Sequence, residues 1–333
     1  MNGPFLRAAA AGMAAGGLLL SQSGHPVLPP GTRVVPDAHN CYPYNGRWAD
    51  RIDRALPTGL PVAIEQDLFW YKDPKTGVGR SVLSHGKAVD GSEPSMRDYF
   101  FERIRPIMER ALRDGNQGDW PLITLNLDFK SDEAAHHAAV WKLLGDYESW
   151  LCTAERVADP SQVRPLHPGP LLVLTGEADS QERDFFESVP VGALLRVFGA
   201  VHNVAKDPSL PPQELITGGA TNYRRWWNNS WSVVERGGQR RAGDWTDGDE
   251  ARLRSLVSYA HSQGLWIRFY TLNGHSTELL ARNGWESGYN FGSEQSVALR
   301  WRAAILAGVD YLVTDQYEEF AAFRKSVIDP AKK

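Results

Sequence analysis

The chain is 333 residues long, 42% hydrophobic and 23% charged, with a formal net charge of -4. That composition predicts a soluble globular protein with a full core, and it offers no basic face for nucleic acid. Twelve tryptophans are many for this length, and rings of that size fill cores or line clefts.

Met1–Arg7 carries one side-chain positive charge, Ala8–Leu20 is an unbroken run of Ala, Gly, Met and Leu, and Ser21–Gly24 is small and polar. This pattern predicts a cleaved signal peptide over residues 1–24 and an exported (secreted or periplasmic) protein. The apolar run is too short and too rich in Ala and Gly for a membrane span. A Pro/Gly linker follows over 25–32, and one domain is expected over 33–325. Cys41 and Cys152 lie far apart and lack the spacing of a zinc or redox site; a disulfide and two free thiols both fit.

Arg33–Asn40 reads as a strand running into a loop, and Trp48–Leu56 as a helix stopped by Pro57 and Gly59. Pro61–Asp67 is an apolar strand ending in two acids one residue apart. Ser81–Gly86 is a short extended piece, Met96–Arg113 an amphipathic helix, and Leu122–Lys130 a strand with another acidic end. A helix is expected over Asp132–Cys152. Strands then follow at Leu171–Leu174, Leu194–Phe198 and Thr221–Trp227. Asp249–Gln263 is a helix before the strand Leu265–Tyr270, and Gln295–Ala307 a helix before Tyr311–Asp315. About eight strands alternating with helices predict a (β/α)8 TIM barrel, and no phosphate-cradling glycine motif argues for an open sheet.

In such a barrel the strand C-terminal ends form the active face. The polar residues expected there are His39 with Asn40, Glu65 with Asp67, His85, and Asp128 with Lys130. A strand sends alternate side chains to one face, so Glu65 and Asp67 point together while Gln66 points away. Like charges held that close need a cation, and oxygen-only donors (Asn40, Glu65, Asp67, Asp128) suit Ca2+ or Mg2+. Two histidines beside such an ion can take one proton and give another, and Lys130 adds positive charge at the same mouth. Arg268 sits mid-strand, where it either binds phosphate bidentately or forms a structural ion pair. Asn273 and His275 follow it within reach of the mouth. Trp70, in Phe69-Trp70-Tyr71, and Trp227, in Trp226-Trp227 with Trp231, are expected as aromatic rims for a sugar ring, a choline or a membrane interface. Asn228-Asn229-Ser230 matches a glycosylation sequon.

The order His39-Asn40-x-Tyr42, then Glu65-x-Asp67, then Ser84-His85-Gly86, then Asp128 at the end of the next strand resembles the phospholipase C-like phosphodiesterase superfamily. It is most similar to the X region of phosphoinositide phospholipases C and their bacterial relatives; glycerophosphodiester phosphodiesterases and spider-venom type phospholipases D share the plan. The resemblance spans Val34–Lys130, with a further likeness of Ala307–Asp315 to the last strand of glycerophosphodiesterases. It implies a TIM barrel with one divalent cation, His39 and His85 as catalytic pair, Glu65, Asp67 and Asp128 as ligands, and Asn40 as a fourth on the calcium-dependent pattern. The implied substrate is a phosphodiester, either a phospholipid head group or a soluble glycerophosphodiester, with peripheral membrane contact and a monomeric chain. The chain departs from the pattern in having Asp128 where many relatives have Glu, Asn40 where glycerophosphodiesterases have Arg, and no early Glu-Asn-Thr. Two other readings stand beside this one: a glycoside hydrolase using Glu65 and Asp128, and a non-catalytic metal-containing binder on the same scaffold.

Overall fold

The computed structural model describes residues 29–43, 47–86, 89–283 and 285–328. The expected signal peptide and the first part of the linker, 25–28, lie outside them. Eight parallel strands close into a barrel: β1 Val35–Ala38, β2 Val62–Lys72, β3 Ile123–Phe129, β4 Leu171–Thr175, β5 Phe198–Ala200, β6 Arg224–Ser230, β7 Trp266–Tyr270 and β8 Tyr311–Thr314. Each pairs with the next, and β8 pairs back to β1, with Tyr311 opposite Val35. Closure leaves no open edge among the eight.

Helices Glu102–Asp114, Ala134–Asp146, Asp247–Ser262, Glu294–Ala307 and Tyr317–Ile328 surround the strands. Local chemistry sets their ends. Thr246 and Asp249 form a capping box that opens Asp247–Ser262, and Gly115 and Gly308 close two others at φ 64° and 80°, a conformation cheap only for glycine. Among the described residues no helix is long and apolar enough to cross a membrane. Cys41 and Cys152 are buried free thiols, and burial pushes both pKa values up to about 12.

Two expected strands sit elsewhere than predicted. Leu194–Leu195 pairs antiparallel with Ala154–Glu155 in a separate ribbon, and the barrel strand begins only at Phe198. Arg196 divides the apolar run, its guanidinium tied to Glu148. Gly79–Leu83 is an antiparallel arm folded back along β2, pairing from Lys72 opposite Gly79 to Leu68 opposite Leu83. His85 therefore reaches the barrel mouth on a hairpin and not at the end of a barrel strand.

Candidate active site

The acids converge because of strand register. In β2 and β3, Asp67 lies directly opposite Asp128, and Glu65 opposite Asn126. Glu65, Asp67 and Asp128 each place a carboxylate oxygen within 4.8 Å of the others. Gln66, one residue out of phase, instead donates to the Cys41 carbonyl. Tyr42 Oη donates to Asp67 Oδ2 at 2.7 Å, and Lys130 Nζ lies 2.6 Å from Asp128 Oδ2 and 3.3 Å from Asp67 Oδ2. Beneath them Arg268, 2% exposed, binds Asp37 Oδ2 at 2.6 Å and Asn228 Oδ1 at 3.0 Å, and lies 3.3 Å from Glu65 Oε1.

The electrostatics of this cluster are unbalanced. Four carboxylates (Asp37, Glu65, Asp67, Asp128) face two permanent cations (Arg268, Lys130). Burial is the largest single influence and works against a charged Glu65, but Arg268, His39, Lys130 and the Asn40 N–H together outweigh it and hold the pKa below its ordinary value. For Asp67, burial, followed by the charge of Asp128, outweighs Lys130 at 3.3 Å and pushes the pKa up to about 8. Its Oδ1 is buried with no hydrogen-bond partner among the described residues. An oxygen-only donor set, one orphaned buried carboxylate oxygen and an excess of negative charge are what a hard divalent cation satisfies.

The two histidines stand on either side. His39 follows β1, with Nε2 4.0 Å from Glu65 Oε2 and Nδ1 3.1 Å from Asp315 Oδ1. Burial disfavours a charged imidazole there, yet Asp315 and then Glu65 raise its pKa above the ordinary value. Asp315 is itself fixed by Arg51 Nη2 at 3.1 Å and Asn273 Nδ2 at 2.6 Å. Arg51 Nη1 and Tyr317 Oη hold the His39 carbonyl. Asn40 takes φ 45°, unusual outside glycine, and its N–H donates to Glu65 Oε2. On the other side, Ser84 N–H donates to the Asp67 carbonyl at 3.1 Å, which sets the next residue, His85, with Nε2 3.9 Å from Asp67 Oδ2. The His85 side chain is 54% exposed.

These groups open into a cavity of about 1160 Å³ whose wall includes His39, Asn40, Glu65, His85, Asp128, Lys130, Arg268, Tyr270, Trp285 and Tyr289. The structure thus brings together the expected His39, Asn40, Glu65, Asp67, His85, Asp128 and Lys130. Arg268 reaches the cavity floor with its guanidinium already engaged by Asp37, Asn228 and Glu65, the ion-pair alternative of the two expected. The expected tryptophan rim is not formed by Trp70 or Trp227. Trp70 stacks on His136 at 5.6 Å along the hairpin. Trp227 is fully buried, donating to Asn203 Oδ1. Both are packing residues, because strand alternation turns Trp227 away from the face that carries Asn228. Asn228 itself lies inside the barrel, against Arg268. The aromatic wall comes from Tyr270, Trp285 and Tyr289. Asp315 and Arg51 went unrecognised as partners of His39. A polar residue at the end of the eighth strand was a legible signal for Asp315; nothing local marked Trp285 and Tyr289, which sit in a loop.

No protein-family model and no curated protein matches the chain. Among solved structures it is similar to a glycerophosphoryl diester phosphodiesterase from Parabacteroides distasonis, with 15% identity over 91% of this chain and 87% of that one and a TM-score of 0.42. It is similar to a calcium-dependent phosphoinositol-specific phospholipase C from a Pseudomonas species, at 15% identity over 87% and 90% with a TM-score of 0.43. It is also similar to HPPK-DHPS from Plasmodium falciparum, at 8% identity over 91% and 50% with a TM-score of 0.46. At this degree of likeness the chemistry rests on the chain's own side chains.

Proposed function

We propose that the chain is an exported, monomeric phosphoric diester hydrolase that works with one divalent cation, Ca2+ or Mg2+. The observation that carries this is the pairing of three converging carboxylates with an imidazole on each side, His39 4.0 Å from Glu65 and His85 3.9 Å from Asp67. Glu65, Asp67 and Asp128 hold the ion, with Asn40 as a further oxygen donor. When bound, the ion supplies positive charge for a phosphoryl oxygen.

The side chains then divide the work. Asp315 accepts the Nδ1 proton of His39, which leaves Nε2 free to take the proton of the attacking hydroxyl, from water or from the substrate itself. As the attacking oxygen bonds phosphorus and the bond to the leaving oxygen breaks, His85 donates a proton to the leaving oxygen. Its exposed position suits a group that must regain a proton from solvent after each turnover. Lys130 neutralises charge at the phosphate, and Arg268 holds Glu65 ionised from below. A glycosidase using Glu65 and Asp128 as its carboxylate pair would give His39, His85 and Lys130 no role.

The substrate is a phospholipid head group or a soluble glycerophosphodiester, the former requiring peripheral membrane contact. A hydrolysis screen of both classes with Ca2+, Mg2+ or chelator, read by phosphorus NMR, tests the reading. Ion-dependent product is expected; none across the panel, from a folded chain that binds the ion, would overturn it in favour of a binding protein.

A further inference from the structure

Asn273 stands out because its side-chain nitrogen and oxygen and both of its backbone groups are hydrogen-bonded. It is 1% exposed. Its side-chain Nδ2 donates to Asp315 Oδ2 at 2.6 Å, while its Oδ1 accepts from Thr314 Oγ1 at 2.9 Å and from the Asp315 N–H at 2.8 Å. Both lone pairs of that oxygen are used, so the amide is locked in one orientation. Its backbone faces the opposite way. The Asn273 N–H donates to the Tyr289 carbonyl at 3.1 Å, and its carbonyl accepts from Phe291 N–H at 2.8 Å.

The segment held there, Trp285–Phe291, supplies the aromatic wall of the cavity through Trp285 and Tyr289. A second clamp lies beside the first. His275 N–H donates to Asn290 Oδ1 at 2.8 Å, and Asn290 Nδ2 donates back to the His275 carbonyl at 2.9 Å. The His275 ring stacks on Trp285 at 4.0 Å. Tyr289 in turn presents its ring to His39, centroids 5.5 Å apart and planes at 83°. The imidazole of His39 is therefore held on two sides, by Asp315 and by Tyr289, and both holders hang on Asn273.

We infer that Asn273 is a positioning residue that couples the aromatic strap Trp285–Phe291 to His39 through Asp315. A substrate alcohol group that packs against Trp285 and Tyr289 loads the strap, and the two backbone bonds of Asn273 pass that load to the carboxylate that aims His39. Discrimination between alcohol groups then falls on kcat more than on KM, since the wall acts through the alignment of the proton acceptor. The residue type fits: a neutral amide donates to Asp315 and accepts from its N–H at once, whereas a carboxylate there would set a like charge beside Asp315.

The test has an arm that needs no activity. In the full chain with histidines labelled by nitrogen-15, with and without Mg2+, the His39 Nδ1 proton should give a downfield resonance from its hydrogen bond to Asp315. Asn273→Ala should shift or erase it. So should Asn290→Ala, which cuts the strap's clamp, the Asn290 amide being hydrogen-bonded to the His275 backbone and not to His39 or Asp315 among the described residues. A resonance unmoved in folded Asn290→Ala overturns the coupling, whatever Asn273→Ala does to folding. The second arm rests on the phosphodiesterase reading. Asn290→Ala should lower kcat about 10- to 100-fold on the best phosphodiester found while changing KM less than about threefold. Absence of any turnover by the wild-type chain would sink that reading and leave the resonance result to decide the coupling alone.

Discussion

Asp315→Asn keeps the shape of a side chain and removes its charge, which makes it the sharpest probe of the His39 side of the site. In the wild-type chain this buried carboxylate faces His39 Nδ1 at 3.1 Å, Arg51 Nη2 at 3.1 Å and Asn273 Nδ2 at 2.6 Å. Burial alone would raise its pKa, but His39 and Arg51 hold it far below the carboxylate range. Arg51 is 1% exposed, and its Nη1 also donates to the His39 and Asn40 carbonyls, which the substitution leaves in place. Breaking a buried ion pair costs about 3–5 kcal/mol. An Asn oxygen still accepts from Arg51, so the low end, about 3 kcal/mol, is expected. Because the folded pKa of Asp315 is depressed, its stabilisation is present above the unfolded value of 3.8 and is lost as pH falls through the folded value. The stability gap between wild type and Asp315→Asn should close in acid solution as the carboxylate protonates, and should also narrow as pH rises through the raised pKa of His39, whose charged form Asp315 stabilises. Turnover should suffer as well. His39 loses the charge that raises its pKa and the acceptor that fixes its tautomer, so kcat should fall about 10²- to 10⁴-fold and the acid limb of the pH profile should move to lower pH. Urea unfolding and steady-state kinetics on a responsive phosphodiester measure both. A kcat within about threefold of wild type, with the acid limb unmoved, would refute the assignment of His39 as an Asp315-oriented base.

His39→Ala and His85→Ala should each lower turnover about 10²- to 10⁴-fold while calorimetry shows the divalent cation still bound; undiminished turnover in either removes that residue from the proton transfers. Glu65→Ala and Asp67→Ala should weaken the ion at least about tenfold, and unchanged calorimetric affinity would reject them as ligands. In the metal-free chain Asp67 keeps its proton to about pH 8, so ion binding at about pH 6 should release close to one proton and tighten as pH rises toward 8. Calorimetry in buffers of unequal ionisation enthalpy counts that proton, and a pH-independent affinity would contradict the raised pKa. The same group makes the metal-free fold bind more protons than the unfolded chain between pH 3.8 and about 8, so thermal unfolding without ion should show its contribution to stability declining with rising pH across that window.

Much of this was legible because a barrel writes its plan in one dimension. Apolar strands alternating with amphipathic helices gave the fold class, and polar residues after the apolar runs gave His39, Glu65, Asp67, Asp128 and Lys130. What escaped depended on pairing. The arm Gly79–Leu83 has the composition of any short strand, and only its antiparallel register with β2 shows how His85 comes to the mouth. Leu194–Leu195 was apolar enough for the barrel but was drawn into a ribbon with Ala154–Glu155. Trp227 and Asn228 are neighbours facing opposite ways, so a cluster of rings in sequence did not become a cluster in space. Trp285 and Tyr289 form the wall because Asn273 and His275 tie a distant loop into place.

The hairpin has a practical use. Its turn, Pro74–Val78, is fully solvent-facing, and the pairing between it and the Leu68–Leu83 rung fixes where His85 emerges. Extra residues spliced into that tip lengthen a finger without moving its base, much as a longer handle leaves a hinge in place. An affinity tag or a fluorescent reporter grafted there would leave the chemistry undisturbed and report on what approaches the opening.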